Sequence, residues 1–382
     1  MTATPLDGVR VLDLSRVLAG PYATQMLGDL GAEVWKIERP GLGDETRAWG
    51  PPFVESESAY YLSVNRNKRS AALDFRDPKH RAAIERAALE ADIVVENFLA
   101  GELKPFGLDA TALRTARPEL IVCSITGFGQ DGPYASLPGY DAVLQGFTGL
   151  MSVTGEENGP PLKVGVALVD VLTGAHAAAA ILGALVGKLR GMGGAHLDVA
   201  LFEVGVVSLV NVAQGALATG APARRYGNAH PHIVPYQTFE TANGAIVVAV
   251  GNDEQWRRLC DRLEWSRTRD RSAWAKNPDR VRHRAELVSE LAALFAGDTR
   301  EKWLALLREA HVPAGPVREV QDVVRDPALA ARGMIGEATL ADAQGPVRLF
   351  SLPWRIDRMR PAIRLPPPRL GQHTEEFLAR YG

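Results

Sequence analysis

Few residues of this chain stand at spacings that perform chemistry by themselves. His230 and His232 flank Pro231 and offer two imidazoles to a metal, but no further His, Cys or Asp pair stands at ligand spacing. They read as loop histidines, and no metal centre is expected. Cys123 lies in the apolar run IVCSIT, where a small buried hydrophobe explains it better than a nucleophile does. No G-x-S-x-G elbow is present. The first strand-to-helix turn, SRVLAGP, lacks the G-x-G-x-x-G that brings backbone close to a pyrophosphate, although Glu38 would suit a dinucleotide ribose. Gly187-Lys188 resembles the end of a phosphate loop, but Gly183 stands one residue too close and no Ser or Thr follows. Asp170, just ahead of an Ala-rich stretch, reads on its own as a helix N-cap.

The elements that must position such residues alternate in type. Residues 9–14, 33–38, 93–96 and 120–125 read as strands, and 22–30 and 78–90 as helices. A long small-residue helix over 174–190 leads through GMGGA into a strand at 196–200. Short β-branched runs alternating with helices predict an α/β fold, a mainly parallel sheet covered on both faces. After about residue 221 the character changes. Residues 237–250 read as a hairpin turning at Asn243-Gly244, followed by amphipathic helices over 253–263, 280–295 and 300–310, the last capped by Asp298 or Thr299. The tail from Gly333 is strand-like and Pro-rich. The expected division is a large α/β domain over 1–221, a smaller α+β domain over 222–330, and a segment over 331–382 that returns to the first.

Composition narrows the function. The 382 residues are 46% apolar and 23% charged, with a net charge of −2, which gives no support for nucleic-acid or anionic-membrane partners. The longest nearly apolar stretch, 174–187, is too short to span a bilayer. Two cysteines, Cys123 and Cys260, make no disulfide framework, and the start shows no basic-then-apolar leader, so a cytoplasmic setting is expected.

Seven segments, in order, carry a resemblance over nearly the whole chain. They are PLDGVRVLDLSRVLAGPYATQMLGDLGAEVWKIERPGLGD, NRNKRSAALDFR, ADIVVENF, SITGFGQDGPYASLPGYDAV, LKVGVALVDVLTG, HLDVALFE and RLGQHT. The sequence resembles the class III coenzyme A transferases. IVPYQTF, VVAVGNDEQW and PPPRLGQHT are most similar to the branch that uses succinyl-CoA and dicarboxylic acids. The resemblance implies a Rossmann-like large domain, an interlocked homodimer, acyl-CoA and a carboxylic acid as substrates, and no permanently bound cofactor.

It also implies that Asp170 is the nucleophile. A carboxylate attacking a thioester gives a mixed anhydride, which keeps the acyl group activated where Ser or Thr would give a stable ester. A helix starting just after Asp170 would keep the carboxylate ionised, and Gly165 and Gly174 would admit backbone N–H groups to an oxyanion. CoA contacts implied by the family fall on Val17, Leu18, Arg39, Leu73, Arg76, Asn97, Phe98, Tyr140 and Asp141, with Lys104 nearest to a family arginine. Arg39 and Arg76 suit phosphates, because a guanidinium forks onto phosphate oxygens. Arg47, His232 and Gln237 are candidates for a second substrate carboxylate. Leu18 stands where formyl-CoA transferases have glutamine, which points away from formate. The alternative is the racemase branch, but that chemistry needs an acid–base pair and Tyr140 replaces its histidine. An unperturbed tyrosine, with a pKa of about 10, is a poor base at neutral pH.

Overall fold

The computed structural model describes residues 4–264, 271–341 and 343–382. Its six-stranded sheet is built from β1 (Arg10–Asp13), β2 (Glu33–Glu38), β3 (Arg69–Ala72), β4 (Ile93–Glu96), β5 (Ile121–Thr126) and β6 (His196–Ala200). The order is β3-β2-β1-β4-β5-β6, and every pair is parallel. β4 and β5 are buried along their whole length, as strands covered on both faces must be.

Alternation of side chains along each strand splits the apolar residues between two cores. Val11, Val34, Val95 and Cys123 face one side, packed by α1 (Ala19–Asp29). Leu12, Trp35, Val94 and Val122 face the other, packed by α2 (Pro78–Glu90). The first core also takes α3 (Asp141–Phe147) and α4 (Leu168–Leu189).

Helix α4 departs from expectation in two ways. It begins six residues before Gly174, so Asp170 is its third residue. At 22 residues it is also long and apolar enough to cross a membrane, which the shorter stretch was not. One stripe, including Val169, Thr173, Ala177 and Ile181, is buried, and α4 packs along α1 and β5. Gly174 makes that approach possible, because a Cβ there would lie 2.6 Å from Ala19 O and 3.0 Å from a Tyr22 ring carbon.

Contacts divide the chain into two units, one of residues 1–151, 163–221 and 327–382 and one of 152–162 and 222–326. Residues 152–162 therefore belong with the second unit, and the return comes at Pro327 rather than at residue 331. The second unit pairs β7 (Tyr236–Thr241), β8 (Gly244–Ala249) and β9 (Ala314–Pro316) in the antiparallel order β9-β8-β7. The hairpin turns on Ala242 and Asn243, and Gly244, with φ at 137°, opens β8. α5 (Asp253–Arg262), α6 (Arg284–Phe295) and α7 (Arg300–Glu309) pack Trp256, Leu291 and Trp303 against this sheet's Phe239 and Ile246. The helix expected over 280–295 breaks at His283. Arg280, fully buried, bonds Val234 O, Trp274 O and Asp253, contacts that a hydrophobic period does not register.

In the tail of the first unit, β10 (Ile335–Thr339) and β11 (Pro346–Phe350) form a hairpin. α8 (Thr374–Tyr381) was not expected from sequence. Its Phe377 and Tyr381 are buried in the second core, with Phe377 5.2 Å from the Trp35 ring.

Candidate active site

Where a doubly wound sheet reverses its strand order, the loops leaving two neighbouring strands part and open a crevice at their carboxyl ends. Here the reversal lies between β1 and β4. The loop after β1 supplies Arg16, Val17 and Leu18, and the loop after β4 supplies Asn97, Phe98 and Leu99. Both sets line one cavity, and Tyr140 and Asp170 line it with them.

Asp170 is half-buried in the first turn of α4. Its expected role as the helix cap falls to Asp141, whose Oδ1 accepts from Val169 N at 2.8 Å and from Asp170 N at 3.2 Å. Gln145 fixes that cap. Its Nε2 donates to Asp141 Oδ2 at 2.6 Å, and its Oε1 accepts from Val164 N at 2.8 Å. The expectation that the helix keeps Asp170 ionised is overturned. Burial, and after it the charge of Asp141, pushes the Asp170 carboxyl up to about 7. Gly174 serves helix packing, and neither it nor Gly165, which stands in an open loop, lines the cavity that holds Asp170.

A second cavity, lined by Arg39, Leu73 and Arg76, shares Arg16, Phe98 and Glu102 with the first. The first has a volume of about 240 Å³ and the second about 360 Å³. Only together do they reach comfortably into the range of small-molecule sites. Arg39 and Arg76 are exposed, and neither guanidinium is paired with another described residue. Lys104 is also exposed and lines neither cavity. Arg47 drops out as a substrate cation. Its guanidinium is buried and bonded to Glu38, Glu57, Tyr61 and Pro368 O. His232 and Gln237 belong to the second unit.

Two residues, one on the wall of both cavities and one within the electrostatic reach of Asp170, were missed from sequence. Arg16 is held by Asn97, which accepts from Arg16 N at 2.8 Å and donates to Arg16 O at 2.7 Å. Its guanidinium lies 5.1 Å from the Phe98 ring centre and pairs with Glu45 at 2.8 Å. The only signal was a base immediately before the VLAGP turn. Tyr60 is the other. Burial, then Asp170 and Asp141, push its phenol up to about 12, so it stays a proton donor at neutral pH. No histidine lines either cavity. Cys123 is buried, its thiol pushed up to about 12, and is no nucleophile at neutral pH.

A parallel α/β sheet with a carboxylate at its switch point, beside a cavity lined by arginines, describes an enzyme of anionic substrates. The chain belongs to the CoA-transferase family III, whose pattern matches residues 6–374, and it is a CoA-transferase. It is 42% identical to succinate–glutarate CoA-transferase of Agrobacterium fabrum, over 98% of this chain and 95% of that protein. It is 43% identical to human succinyl-CoA:glutarate CoA-transferase, over 98% of this chain and 85% of that one. The crystal structure of a CaiB/BaiF family protein from Brucella suis superposes with a TM-score of 0.87 at 42% identity, covering 100% of both chains.

Proposed function

We propose that this enzyme moves CoA from succinyl-CoA to a dicarboxylic acid such as glutarate, with Asp170 as the nucleophile. The carrying observation is a half-buried carboxylate at the switch-point cavity, relieved of any capping duty by Asp141. The ionised Asp170 attacks the thioester carbonyl, the C–S bond breaks, and a mixed anhydride and CoA thiolate form. The thiolate attacks the aspartyl carbonyl of the anhydride, releasing succinate and leaving an aspartyl-CoA thioester. The acceptor carboxylate attacks that thioester in turn, and the thiolate then takes the new acyl group and frees Asp170. The relatives' named reactions support the donor and the acceptor class.

Arg39 and Arg76 would hold CoA phosphates, with Leu73 beside them, Phe98 on the shared wall, and Val17, Leu18, Asn97 and Tyr140 nearer the thioester. An interlocked homodimer is part of this proposal. Strongly exposed apolar residues of the first unit support it, among them Leu189, Met192 and Leu217. Sedimentation of dilute enzyme should show no folded species at the 41.2 kDa of one chain. Cys123 and Cys260 are both buried thiols outside any disulfide, which fits a reducing cytosol.

The test is incubation with succinyl-CoA and no acceptor. The adduct should sit on the peptide containing Asp170, and hydroxylamine should convert that residue to a hydroxamate. An adduct elsewhere, or full exchange by Asp170→Asn, defeats the proposal. A panel of acids should rank glutarate and other dicarboxylates above short monocarboxylates in kcat/KM.

A further inference from the structure

Val17 is the strained residue of the cavity wall. Its φ is 68°, in the left-handed region where a β-branched residue is a genuine outlier. Such a conformation persists only where the surroundings over-determine it. Here a buried carboxylate does so, because both oxygens of Asp44 accept from Val17 N at 3.2 Å.

Asp44 is itself held from four directions. Lys36 Nζ lies 2.9 Å from its Oδ2, and both side chains are almost wholly buried. Thr46 donates to Asp44 Oδ1 from its N at 3.0 Å and from its Oγ1 at 2.8 Å. The Asp44 N–H donates to Glu38 Oε2 at 3.0 Å. Lys36 Nζ also donates to Ser15 O at 2.7 Å, so the same cation grips the turn from its other end. A buried ion pair is a weak source of stability, which leaves its placement at this turn to be explained by what it fixes.

We propose that Asp44, held by Lys36, is a positioning residue for the transfer. It locks the left-handed backbone of Val17 and thereby presents the turn over residues 17–19 to an acyl group on Asp170. This rests on the nucleophilic reading of Asp170. Leu18 and Ala19 follow Val17 along the same wall, so relaxing φ at Val17 would move the whole wall.

The test compares wild type, Asp44→Asn, Val17→Gly and the double variant. The quantity read is the maximal rate of Asp170 acylation by succinyl-CoA per folded enzyme, without acceptor. Glycine adopts positive φ at no steric cost, so a turn with glycine in place of Val17 no longer needs the carboxylate. Asp44→Asn should slow acylation by roughly tenfold to a hundredfold. The loss should fall chiefly on the maximal rate, with a smaller shift in half-saturation by succinyl-CoA, because Arg39 and Arg76 are untouched. In the Val17→Gly background the same change should cost no more than about twofold. Should Asp44→Asn fail to fold, Asp44→Glu replaces it, because it keeps a negative charge beside Lys36 and displaces the carboxylate oxygens from Val17 N. Equal losses in both backgrounds, or no loss in either, overturn the proposal. A wild-type enzyme that forms no adduct sinks the Asp170 reading instead.

Discussion

Asp141 Oδ1 stands 2.8 Å from the N–H of Val169 and 3.2 Å from that of Asp170, so one carboxylate caps the helix that carries the other. Two duties that sequence assigned to Asp170 alone are thereby divided. Asp141 satisfies the orphan amides at the start of α4, and the Asp170 side chain bonds to no other described residue. The arrangement also sets two acidic groups close together, which raises the proton affinity of the one facing the cavity.

The first consequence is a pH dependence. Only the ionised carboxylate attacks, and burial with Asp141 lifts Asp170 to about 7. Acylation should therefore rise with pH through about 7 and level off above it. A rate unchanged from about pH 5 to about pH 9 would contradict the assignment.

Removing the neighbouring charge should move that limb. Asp141→Asn keeps an oxygen for Val169 N–H and Asp170 N–H but deletes the repulsion, so the rising limb should shift to lower pH. The amide also turns a donor toward Gln145 Nε2, so the variant should melt somewhat earlier. A limb that stays in place would mean that burial alone sets the proton affinity of Asp170.

Asp170→Asn should lose turnover by orders of magnitude and form no adduct. Its stability carries a sign of its own. The folded proton affinity is raised from 3.8 to about 7, so the carboxyl's contribution is fully present below the unfolded value and is lost as pH rises through about 7. Amide replacement removes that loss. The variant's Tm relative to wild type should therefore be more favourable at about pH 8 than at about pH 5. An advantage that is larger at the acid end would reverse the argument.

Gly174→Ala sets two effects against each other. Helix propensity favours alanine by about 1 kcal/mol. The added methyl would meet Ala19 O at 2.6 Å, a backbone atom of α1 that cannot swing aside. Overpacking of this kind costs about 1–3 kcal/mol, so the clash should win and Tm should fall. A rise in Tm would show that α1 and α4 can part without penalty.

Elements written in one continuous pattern were legible from sequence. The strands at Glu33–Glu38, Ile93–Glu96 and His196–Ala200 and the helix Pro78–Glu90 fall where their local patterns place them. What escaped depends on partners far along the chain. The start of α4 is set by Asp141, whose Oδ1 lies 28 and 29 residues from the amides it caps. The place of Arg16 is set by Asn97, 81 residues on. Tyr60 looks like an ordinary aromatic until it is set near Asp170. The short α8 is held by Trp35 and by a bond from Ala72 N to Thr374 Oγ1, neither visible in its own eight residues.

That last contact joins residues 302 positions apart. At about 5–20 residues per second, a ribosome needs roughly 15–60 s to pass from one to the other. Throughout that interval Trp35 and the other apolar residues on that face of the sheet wait without Phe377 and Tyr381. The newly made strands of this enzyme are thus natural clients for chaperones that shield apolar surface. Stalled or prematurely ended synthesis should send the product to proteolysis rather than leave a trimmed but working enzyme.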